Sequence, residues 1–385
     1  MKAAVFHKPK DIRCENIPDA KIEHPRDAII KVTATAICGS DLHIYNGYMP
    51  QIGRMVLGHE FMGVVEEVGS EVTNLKKGDR VVVPFPIACG QCFFCQHEVP
   101  TACDQSNPKH YGPQGGLVSQ KGGGLFGYTD LYGGYNGGQA EAVRVPFADY
   151  GPRKVPQNLS DEQLLFLTDI FPTGWTGVDK TNVQPGETVV VFGCGPVGLM
   201  AQKSAWLKGA GRVIGVDILP YRLNMALEVC KSEVVDASKL NAVEKIIEMT
   251  AGHGADVCID AVGLEAQTNI FEKAANLVHM QAGSSKVVGH AMSSVRRGGR
   301  IAILGVYGTT YDNFPLGQWI DKGVTVWAGQ APVHNYIDQL LQMIEGGKIK
   351  TDDIITHKLS LDQVSHGYEI FNKKEDHCVK VVMKP

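Results

Sequence analysis

Three kinds of metal-binding side chain stand close together near the start of this sequence. Cys38 offers a thiolate, His59 an imidazole and Glu60 a carboxylate, and Asp169 offers a second carboxylate further along the chain. Zinc accepts these ligands at catalytic sites, where three protein ligands leave a fourth position for a substrate. The sequence therefore predicts a catalytic metal site around Cys38, to which Asp169 or Glu60 adds the carboxylate.

The residues that follow Cys38 add groups able to hold or move a proton. Ser40 is placed to accept a proton from a substrate, and His43 to pass it on, because imidazole titrates near neutral pH. Asp41 is placed to orient His59 from behind the metal. The alternative for Ser40 and Asp41 is helix capping, which both residue types favour, and for His43 an ordinary structural role.

Four further cysteines lie within fifteen residues, at Cys89, Cys92, Cys95 and Cys103. Four thiolates on one loop bind zinc tetrahedrally and leave no open position, as in structural zinc sites. Neighbouring cysteines rarely meet the distance and dihedral demands of a disulfide. The spacing therefore predicts a structural zinc ion, with unliganded buried thiols as the alternative.

Composition limits the classes of protein to consider. The chain has 385 residues, long for a single core, and a net charge of −4 that gives no support for nucleic-acid binding. No apolar run is long enough to span a membrane, and no secretory signal follows Met1. With cysteines in a metal-binding rather than a disulfide pattern, we expect a soluble cytoplasmic protein of two domains without membrane partners.

The first hundred residues are predicted to form a barrel-like β domain. Apolar, β-branched runs bounded by turn residues occur at 28–32, 61–68 and 79–83. Residues 111–139 are rich in glycine but contain interspersed aromatic residues. We expect this segment to be an ordered surface excursion, because its aromatic side chains need burial.

The character of the chain changes near residue 184. An apolar strand at 188–192 is followed by Gly193-Cys194-Gly195-Pro196-Val197-Gly198, a helix at 199–208, and a strand at 212–216 that ends at Asp217. A G-x-G-x-x-G motif between a strand and a helix, with an acid after the next strand, is the fingerprint of dinucleotide binding. The alternative, an ordinary glycine turn, does not explain this context.

Each residue of the fingerprint has a separate physical role. Gly193 permits a tight turn, Gly195 lets the backbone approach a pyrophosphate, and Gly198 lets the helix pack closely on the strand. The helix N-terminus presents free N–H groups to the phosphates. Asp217 is expected to accept hydrogen bonds from the ribose, which favours NAD over NADP, whereas Arg222 could cover the adenine or pair with phosphate.

Alternating strands and helices continue through the middle of the chain. Strands are predicted at 255–261 and 300–304 and a helix at 267–278, so residues 169–310 are expected to form one doubly wound α/β domain. A helix at 335–344 and a strand at 379–382 end the chain. We expect this tail to rejoin the first domain, which would then comprise residues 1–168 and 311–385.

Together these motifs resemble the zinc-dependent medium-chain alcohol dehydrogenases, in the same order and over essentially the whole chain. The matching stretches are residues 38–43, 58–60, 89–103 and 191–198. Residues 169–174 and 132–140 resemble the branch that contains the glutathione-independent formaldehyde dehydrogenases.

The resemblance implies a GroES-like β-rich catalytic domain, a Rossmann coenzyme domain, and a homo-oligomer, with a tetramer favoured over a dimer. It also implies two Zn²⁺ ions per subunit. The catalytic ion would be bound by Cys38, His59 and Asp169, where many members have a cysteine as third ligand. Ser40, His43 and Glu60 would act beside it. The residues implied at NAD are Thr173, Gly193, Gly195, Pro196, Val197, Gly198, Asp217, Arg222 and Lys380, the last of them at the pyrophosphate.

The expected reaction is hydride transfer to NAD from an alcohol or an aldehyde hydrate, with formaldehyde as a candidate substrate. Zinc would lower the pKa of the substrate hydroxyl, and the cofactor would take the hydride. A polyol or secondary-alcohol dehydrogenase of the same family is the alternative. A non-catalytic NAD-binding protein is a more distant one, since it would not need every catalytic position intact.

Overall fold

The computed structural model describes residues 1–107, 122–263, 285–307, 314 and 316–385. The helix predicted at 267–278 and residues 111–121 of the glycine-rich segment lie outside the described residues. The chain divides into two compact units, Met1–Pro172 with Pro332–Pro385, and Thr173–Ala331.

The strands of the described residues, in chain order, are β1 (Lys2–Lys8), β2 (Asp11–Asn16), β3 (Ala28–Ile37), β4 (Met55–Val56), β5 (Glu60–Val68), β6 (Arg80–Val83), β7 (Pro86–Ile87), β8 (Gly124–Leu125), β9 (Ala142–Val145), β10 (Arg153–Lys154), β11 (Thr188–Phe192), β12 (Arg212–Asp217), β13 (Glu233–Asp236), β14 (Ala255–Asp260), β15 (Val295–Ile303), β16 (Thr325–Ala328), β17 (His357–Ser360) and β18 (Val381–Lys384).

The helices of the same residues are α1 (Asp41–Tyr45), α2 (Phe93–Gln96), α3 (Asp161–Leu164), α4 (Ile170–Lys180), α5 (Pro196–Leu207), α6 (Pro220–Glu228), α7 (Ala242–Met249), α8 (Lys286–Ser294), α9 (Leu316–Lys322), α10 (Val333–Glu345) and α11 (Val364–Lys373). Short 3₁₀ helices lie at Pro100–Ala102, Asp130–Tyr132, Leu165–Thr168, Asp352–Ile354 and Leu361–Gln363.

The first unit is built on a largely antiparallel sheet in the order β10-β6-β5-β3-β18-β17, with β9 also paired to β3. Its centre is β3, whose β-branched and alanine residues suit a strand covered on both sides. Ala28, Ile30 and Val32 face one hydrophobic core, together with apolar residues of β5, β6 and β9. This is the β-rich, GroES-like domain that the sequence predicted.

The second unit contains a six-stranded parallel sheet in the order β13-β12-β11-β14-β15-β16. In β11, Val190 and Phe192 belong to one hydrophobic core, and Val189 and Val191 to another. A strand buried on both faces must be apolar throughout, which explains the uninterrupted valines. The predicted Rossmann architecture, with a parallel doubly wound sheet, is therefore confirmed.

The division between the units differs from the sequence-based bounds, which ended the α/β domain at residue 310. The reason is that β16 pairs in parallel with β15 from Arg300 to Ile303, and so adds a sixth strand to the sheet of the second unit. The tail returns to the first unit only at Pro332. The described residues include no helix with the length and apolar character needed to cross a membrane.

Candidate metal and cofactor sites

Cys38, His59, Glu60 and Asp169 come together inside the first unit. Their ligand atoms all lie within 4.8 Å of one another, and all four residues are buried. Asp169 Oδ2 is 3.4 Å from Cys38 Sγ and 3.2 Å from His59 Nε2. Cys38 directly follows β3, His59 directly precedes β5 and Glu60 opens it, and Asp169 follows a 3₁₀ helix. Residues far apart in sequence thus converge at one point.

These distances fit a shared metal ion. A zinc ion with ordinary bond lengths and tetrahedral angles holds a thiolate and a carboxylate about 3.5 Å apart, and an imidazole and a carboxylate about 3.3 Å apart. Glu60 adds an independent sign, because its Oε2 atom is buried without a hydrogen-bond partner among the described residues. A buried carboxylate oxygen of this kind is costly unless a cation satisfies it.

The groups around His59 orient its imidazole toward this cluster. Its Nε2 atom lies 3.2 Å from Ser40 Oγ, and its Nδ1 atom lies 3.1 Å from Asp41 Oδ1. The nearby Asp41 carboxylate favours the tautomer with its proton on Nδ1, which leaves the Nε2 lone pair for a metal. Ser40 precedes α1 but makes no side-chain capping bond, so the capping alternative does not account for its position. His43 is buried on α1.

Glu60 is paired with a lysine from the end of the chain. Lys380 Nζ lies 2.6 Å from Glu60 Oε1 and donates a second hydrogen bond, of 3.1 Å, to the carbonyl oxygen of Ile37. Neither Lys380 nor Glu60 has any exposed surface. The ammonium thus already serves two buried acceptors in the first unit, and the pyrophosphate contact implied for Lys380 by the family resemblance stays a prediction.

The electrostatics of the cluster favour an added positive charge. Burial, with the nearby Asp169 and Glu60 carboxylates, raises the pKa of Cys38 to about 11. Burial also raises the pKa of Glu60, although Lys380 opposes this. For His59, burial would lower the pKa, but the charges of Asp41 and Cys38 raise it well above its ordinary value. A divalent cation would relieve this mutual repulsion of buried acidic groups.

The four-cysteine cluster is a second site of the first unit. The sulfur atoms of Cys92 and Cys95 lie 3.5 Å apart, and those of Cys89–Cys95 and Cys92–Cys103 lie 3.9 Å apart. Four thiolates around a tetrahedral zinc ion lie about 3.8 Å apart. Burial would raise the pKa of Cys92, but backbone N–H donors, first that of Cys95, lower it to about 7. The cluster therefore matches a closed zinc site.

The glycine-rich loop of the second unit has the geometry that its sequence predicts. Gly193 has a φ of +94°, which favours glycine, and its N–H donates to the carbonyl oxygen of Val216. A Cβ atom at Gly198 would lie 1.8 Å from the carbonyl oxygen of Gly193, so helix and strand approach as closely as glycine allows. Gly195 precedes α5, which begins at Pro196 and Val197.

Asp217 is held firmly at the end of β12. Its Oδ2 accepts a hydrogen bond from the Cys194 N–H, and its Oδ1 accepts from Ile218 and Leu219, at 2.7–3.0 Å. Arg222 lies near the loop, since a Cβ atom at Gly195 would be 3.5 Å from its Nη1. Thr173 is the half-buried first residue of this unit.

Sequence reasoning missed two buried polar residues behind His59. Gln139 Nε2 donates to Asp41 Oδ2 at 3.3 Å, and Tyr368 donates its hydroxyl proton to Gln139 Oε1 at 2.9 Å. Gln139 lies within residues 132–140, whose sequence indicated only a resemblance to one branch of the family. No spacing rule joins it to residues 98 and 229 positions away. Tyr128 was also overlooked, and its ring packs edge-on against His59, with 6.3 Å between centroids.

Fold and site together define a zinc-binding dehydrogenase, and comparison with known proteins agrees. The family model described as the alcohol dehydrogenase GroES-like domain matches residues 24–154, and the one described as zinc-binding dehydrogenase matches residues 196–279. The chain belongs to the zinc-type alcohol dehydrogenase family.

Two curated relatives and one solved structure illustrate the similarity. The chain is 46% identical over 389 residues to the uncharacterized zinc-type alcohol dehydrogenase-like protein AdhB of Bacillus subtilis, covering 100% of both chains. It is 35% identical over 397 residues to the glutathione-independent formaldehyde dehydrogenase of Pseudomonas aeruginosa, covering 96% of this chain and 94% of that one. Alcohol dehydrogenase TADH from Thermus sp. ATN1 is 34% identical with a TM-score of 0.86, over 100% of this chain and 99% of that one.

Proposed function

We propose that this protein is an NAD-dependent oxidoreductase that oxidises an alcohol or an aldehyde hydrate, with formaldehyde hydrate as a candidate substrate. The observation that carries the proposal is the convergence of four buried ligand atoms, from Cys38, His59, Glu60 and Asp169, within 4.8 Å. When bound there, zinc supplies a Lewis acid that lowers the pKa of a substrate hydroxyl. A second zinc ion is proposed at the four-cysteine cluster.

Asp169 is proposed as the third ligand in preference to Glu60. This choice is supported by the single Asp169 oxygen that lies 3.4 Å from Cys38 Sγ and 3.2 Å from His59 Nε2. One oxygen of Glu60, by contrast, is already paired with Lys380. Glu60 is proposed to remain beside the site as a second carboxylate, which would compete with substrate or water for a bound ion.

The side chains around the site have separate tasks in the proposed reaction. Ser40, whose Oγ lies 3.2 Å from His59 Nε2, takes the proton of the substrate hydroxyl. His43, buried on α1, would receive that proton and pass it toward water. NAD⁺, when bound, would supply the acceptor for the hydride of the substrate carbon, so that an alcohol would become a carbonyl and an aldehyde hydrate a carboxylic acid.

NAD is proposed as the cofactor, held at the glycine loop of the second unit. The proposal is supported by Gly193, Gly195 and Gly198, by the free N–H groups where α5 begins, and by Asp217, which three backbone N–H groups fix in place. A carboxylate there would repel the 2′-phosphate of NADP. The homo-oligomer, in particular a tetramer, and the cytoplasmic location predicted from the sequence stay predictions.

A substrate panel on protein of known metal content tests this function. Native mass spectrometry first gives the zinc count, the bound nucleotide and the number of subunits. NADH formation is then measured with formaldehyde, primary alcohols and sorbitol-type polyols, with NAD and NADP in parallel. We expect activity to disappear with a chelator and to return with zinc. Full activity in metal-free protein would contradict the proposal, and NADH binding without turnover of any substrate would favour a non-catalytic role.

A further inference from the structure

A chain of buried polar side chains extends behind His59, away from the metal ligands. It runs from Asp41 to Gln139 and on to Tyr368, and none of these three residues has any exposed surface. The links are 3.3 Å from Gln139 Nε2 to Asp41 Oδ2 and 2.9 Å from the Tyr368 hydroxyl to Gln139 Oε1. Buried polar groups destabilise a fold unless they are satisfied, so a connected set of this kind needs an explanation.

The network fixes the orientation of the Gln139 side chain. Its Nε2 group donates to the carbonyl oxygen of Ala36 at 3.1 Å and to Asp41 Oδ2 at 3.3 Å. Its Oε1 accepts from Tyr368, which is a donor to this atom. The reverse orientation would set Oε1 against a carbonyl and a carboxylate, three acceptors together. The Tyr368 hydroxyl adds to the Ala36 carbonyl and the Asp41 carboxylate in fixing which end of the amide faces Asp41.

Asp41 in turn is held by two donors at one oxygen and approaches His59 with the other. Its Oδ2 accepts from the Cys38 N–H at 2.9 Å and from Gln139, and its Oδ1 lies 3.1 Å from His59 Nδ1. Two donors at one oxygen restrict rotation of the carboxylate away from His59. The approach of Asp41 Oδ1 to Nδ1 favours the tautomer with its proton on Nδ1, which leaves the Nε2 lone pair on the side of Asp169.

The backbone beside His59 is adapted to admit Gln139. Gly58 has a φ of +97°, and a Cβ atom there would lie 2.3 Å from Gln139 Cγ and 2.8 Å from its Cδ. The backbone N–H of Gln139 donates to the carbonyl oxygen of Leu57, and that of Gly138 to Gly58. The segment carrying the amide is therefore bound directly to the chain that carries the imidazole.

We propose that Gln139 and Tyr368 are positioning residues of the zinc site, which hold the Asp41 carboxylate and, through it, the tautomer and ring orientation of His59. The inference rests on the proposed function, because it takes His59 to bind zinc through Nε2. It extends the set of residues that determine metal affinity by two side chains that touch neither the metal nor the substrate.

Two variants and a control test the proposal. Gln139→Met removes both amide donors at similar length, and Tyr368→Phe removes only the hydroxyl and keeps the ring that packs 5.3 Å from Tyr45. The control is Tyr135→Phe, which removes the hydroxyl that donates to the Ser106 carbonyl oxygen at 2.7 Å, away from Asp41. Zinc affinity is measured by competition with a chelator, and ligand geometry by the absorption spectrum after Co²⁺ replaces zinc.

Residues behind metal ligands usually change metal affinity about 10–100-fold when removed. We expect roughly a tenfold loss of zinc affinity at the catalytic site in Gln139→Met, a smaller loss in Tyr368→Phe, and a changed cobalt spectrum in both. The kcat should fall while the KM for NAD stays unchanged. Tyr135→Phe should match the wild type in zinc affinity at the catalytic site.

The double variant tests whether Tyr368 acts on Asp41 through Gln139. If Tyr368 acts through Gln139, Tyr368→Phe has no further effect on zinc affinity once Gln139→Met is present. Additive effects would place Tyr368 on another path and overturn this part of the inference. Wild-type zinc affinity and spectrum in both single variants would overturn it entirely. A failure of the proposed function would give a different result. The wild-type protein itself would then bind zinc only at the four-cysteine cluster or turn over no substrate.

Discussion

Lys380 and Glu60 form an ion pair of 2.6 Å in which neither residue has any exposed surface. The lysine also donates to the carbonyl oxygen of Ile37, and its ammonium lies 5.4 Å from the ring centre of Phe166. A charge pair removed from water in this way is sensitive to the loss of either partner, because the remaining charge stays buried.

Lys380→Met is therefore expected to lower the free energy of unfolding by about 3–5 kcal/mol. Adding Glu60→Gln should restore part of this loss, since no uncompensated carboxylate then remains. Urea unfolding measures both effects. Lys358→Met is the control, because Lys358 is exposed and its 3.2 Å pair with Glu162 should be worth at most about 1 kcal/mol. Equal losses in the two lysine variants would show that the buried pair has no special role.

Asp169→Asn is expected to remove the catalytic zinc, because it weakens the ligand that approaches both Cys38 and His59. Glu60→Gln should keep that zinc and lose activity instead. Native mass spectrometry of the two variants, with zinc counted per chain, separates these results. The opposite pattern, with zinc lost only from Glu60→Gln, would make Glu60 the third ligand.

Cys103→Ser is expected to release the zinc of the four-cysteine cluster while the catalytic zinc remains. Structural zinc contributes about 10–16 kcal/mol to folding in isolated zinc-finger peptides, so its loss should lower the melting temperature clearly. Cys14→Ser serves as the control, since Cys14 lies outside the cluster and contacts Asp362 at 3.4 Å. The idea fails if both serine variants retain the wild-type zinc count and melting temperature.

Gly58→Ala is expected to damage the zinc site through Gln139. The added methyl group would overlap the Gln139 side chain, and a non-glycine residue at positive φ also costs about 1–2 kcal/mol. Gly53→Ala separates the two effects, because Gly53 has a φ of +82° with nothing within 4 Å of the new atom. Zinc affinity should therefore fall in Gly58→Ala and stay unchanged in Gly53→Ala. Equal zinc binding in both would argue against the steric link.

Acid should destabilise the fold through His334. Burial, and then the charge of Arg153, lower the pKa of His334 to about 3, and its ring stacks on Tyr150 at 5.0 Å. Between that value and the unfolded pKa near 6.5, the unfolded chain binds more protons, so stability falls as pH falls. The loss reaches about 2 kcal/mol at pH 5.

His334→Phe keeps the stacking but removes this titration. The difference in unfolding free energy between pH 7 and pH 5 should therefore shrink by about 2 kcal/mol relative to wild type. His366→Phe, at an exposed histidine of α11, is the matched control. An unchanged difference in His334→Phe would mean that other groups produce the acid sensitivity.

Local patterns were sufficient to predict the parts of this molecule that consist of neighbouring residues. The apolar run before Gly193 predicted a fully buried parallel strand, and β11 is one. The helix expected at 335–344 is α10, Val333–Glu345, and its apolar face is buried. Cys89 to Cys103 form a cluster because they share one short loop. In each case the residues that carry the sequence pattern are the same neighbouring residues that form the structure.

Relationships between distant residues were not predictable in the same way. Nothing in the residues around Lys380 indicates Glu60 as a partner 320 positions away. From the sequence alone, Gln139 and Tyr368 could equally be ordinary buried residues. Only the fold places them next to Asp41. The strand β16 was missed because its four residues, only partly buried, show neither strict alternation nor a fully apolar run. These features depend on topology, which a local pattern does not contain.

The position of β18 has a consequence for biosynthesis. This strand pairs with β3 and β17, although the whole of the second unit separates it from β3 along the chain. When residues 1–172 have left the ribosome, β3 can pair with β5 and β9, but its third partner, β18, has not yet been synthesised. The second unit is continuous and can fold first. The pairing of β18 with β3 is thus completed only after the second unit has been synthesised.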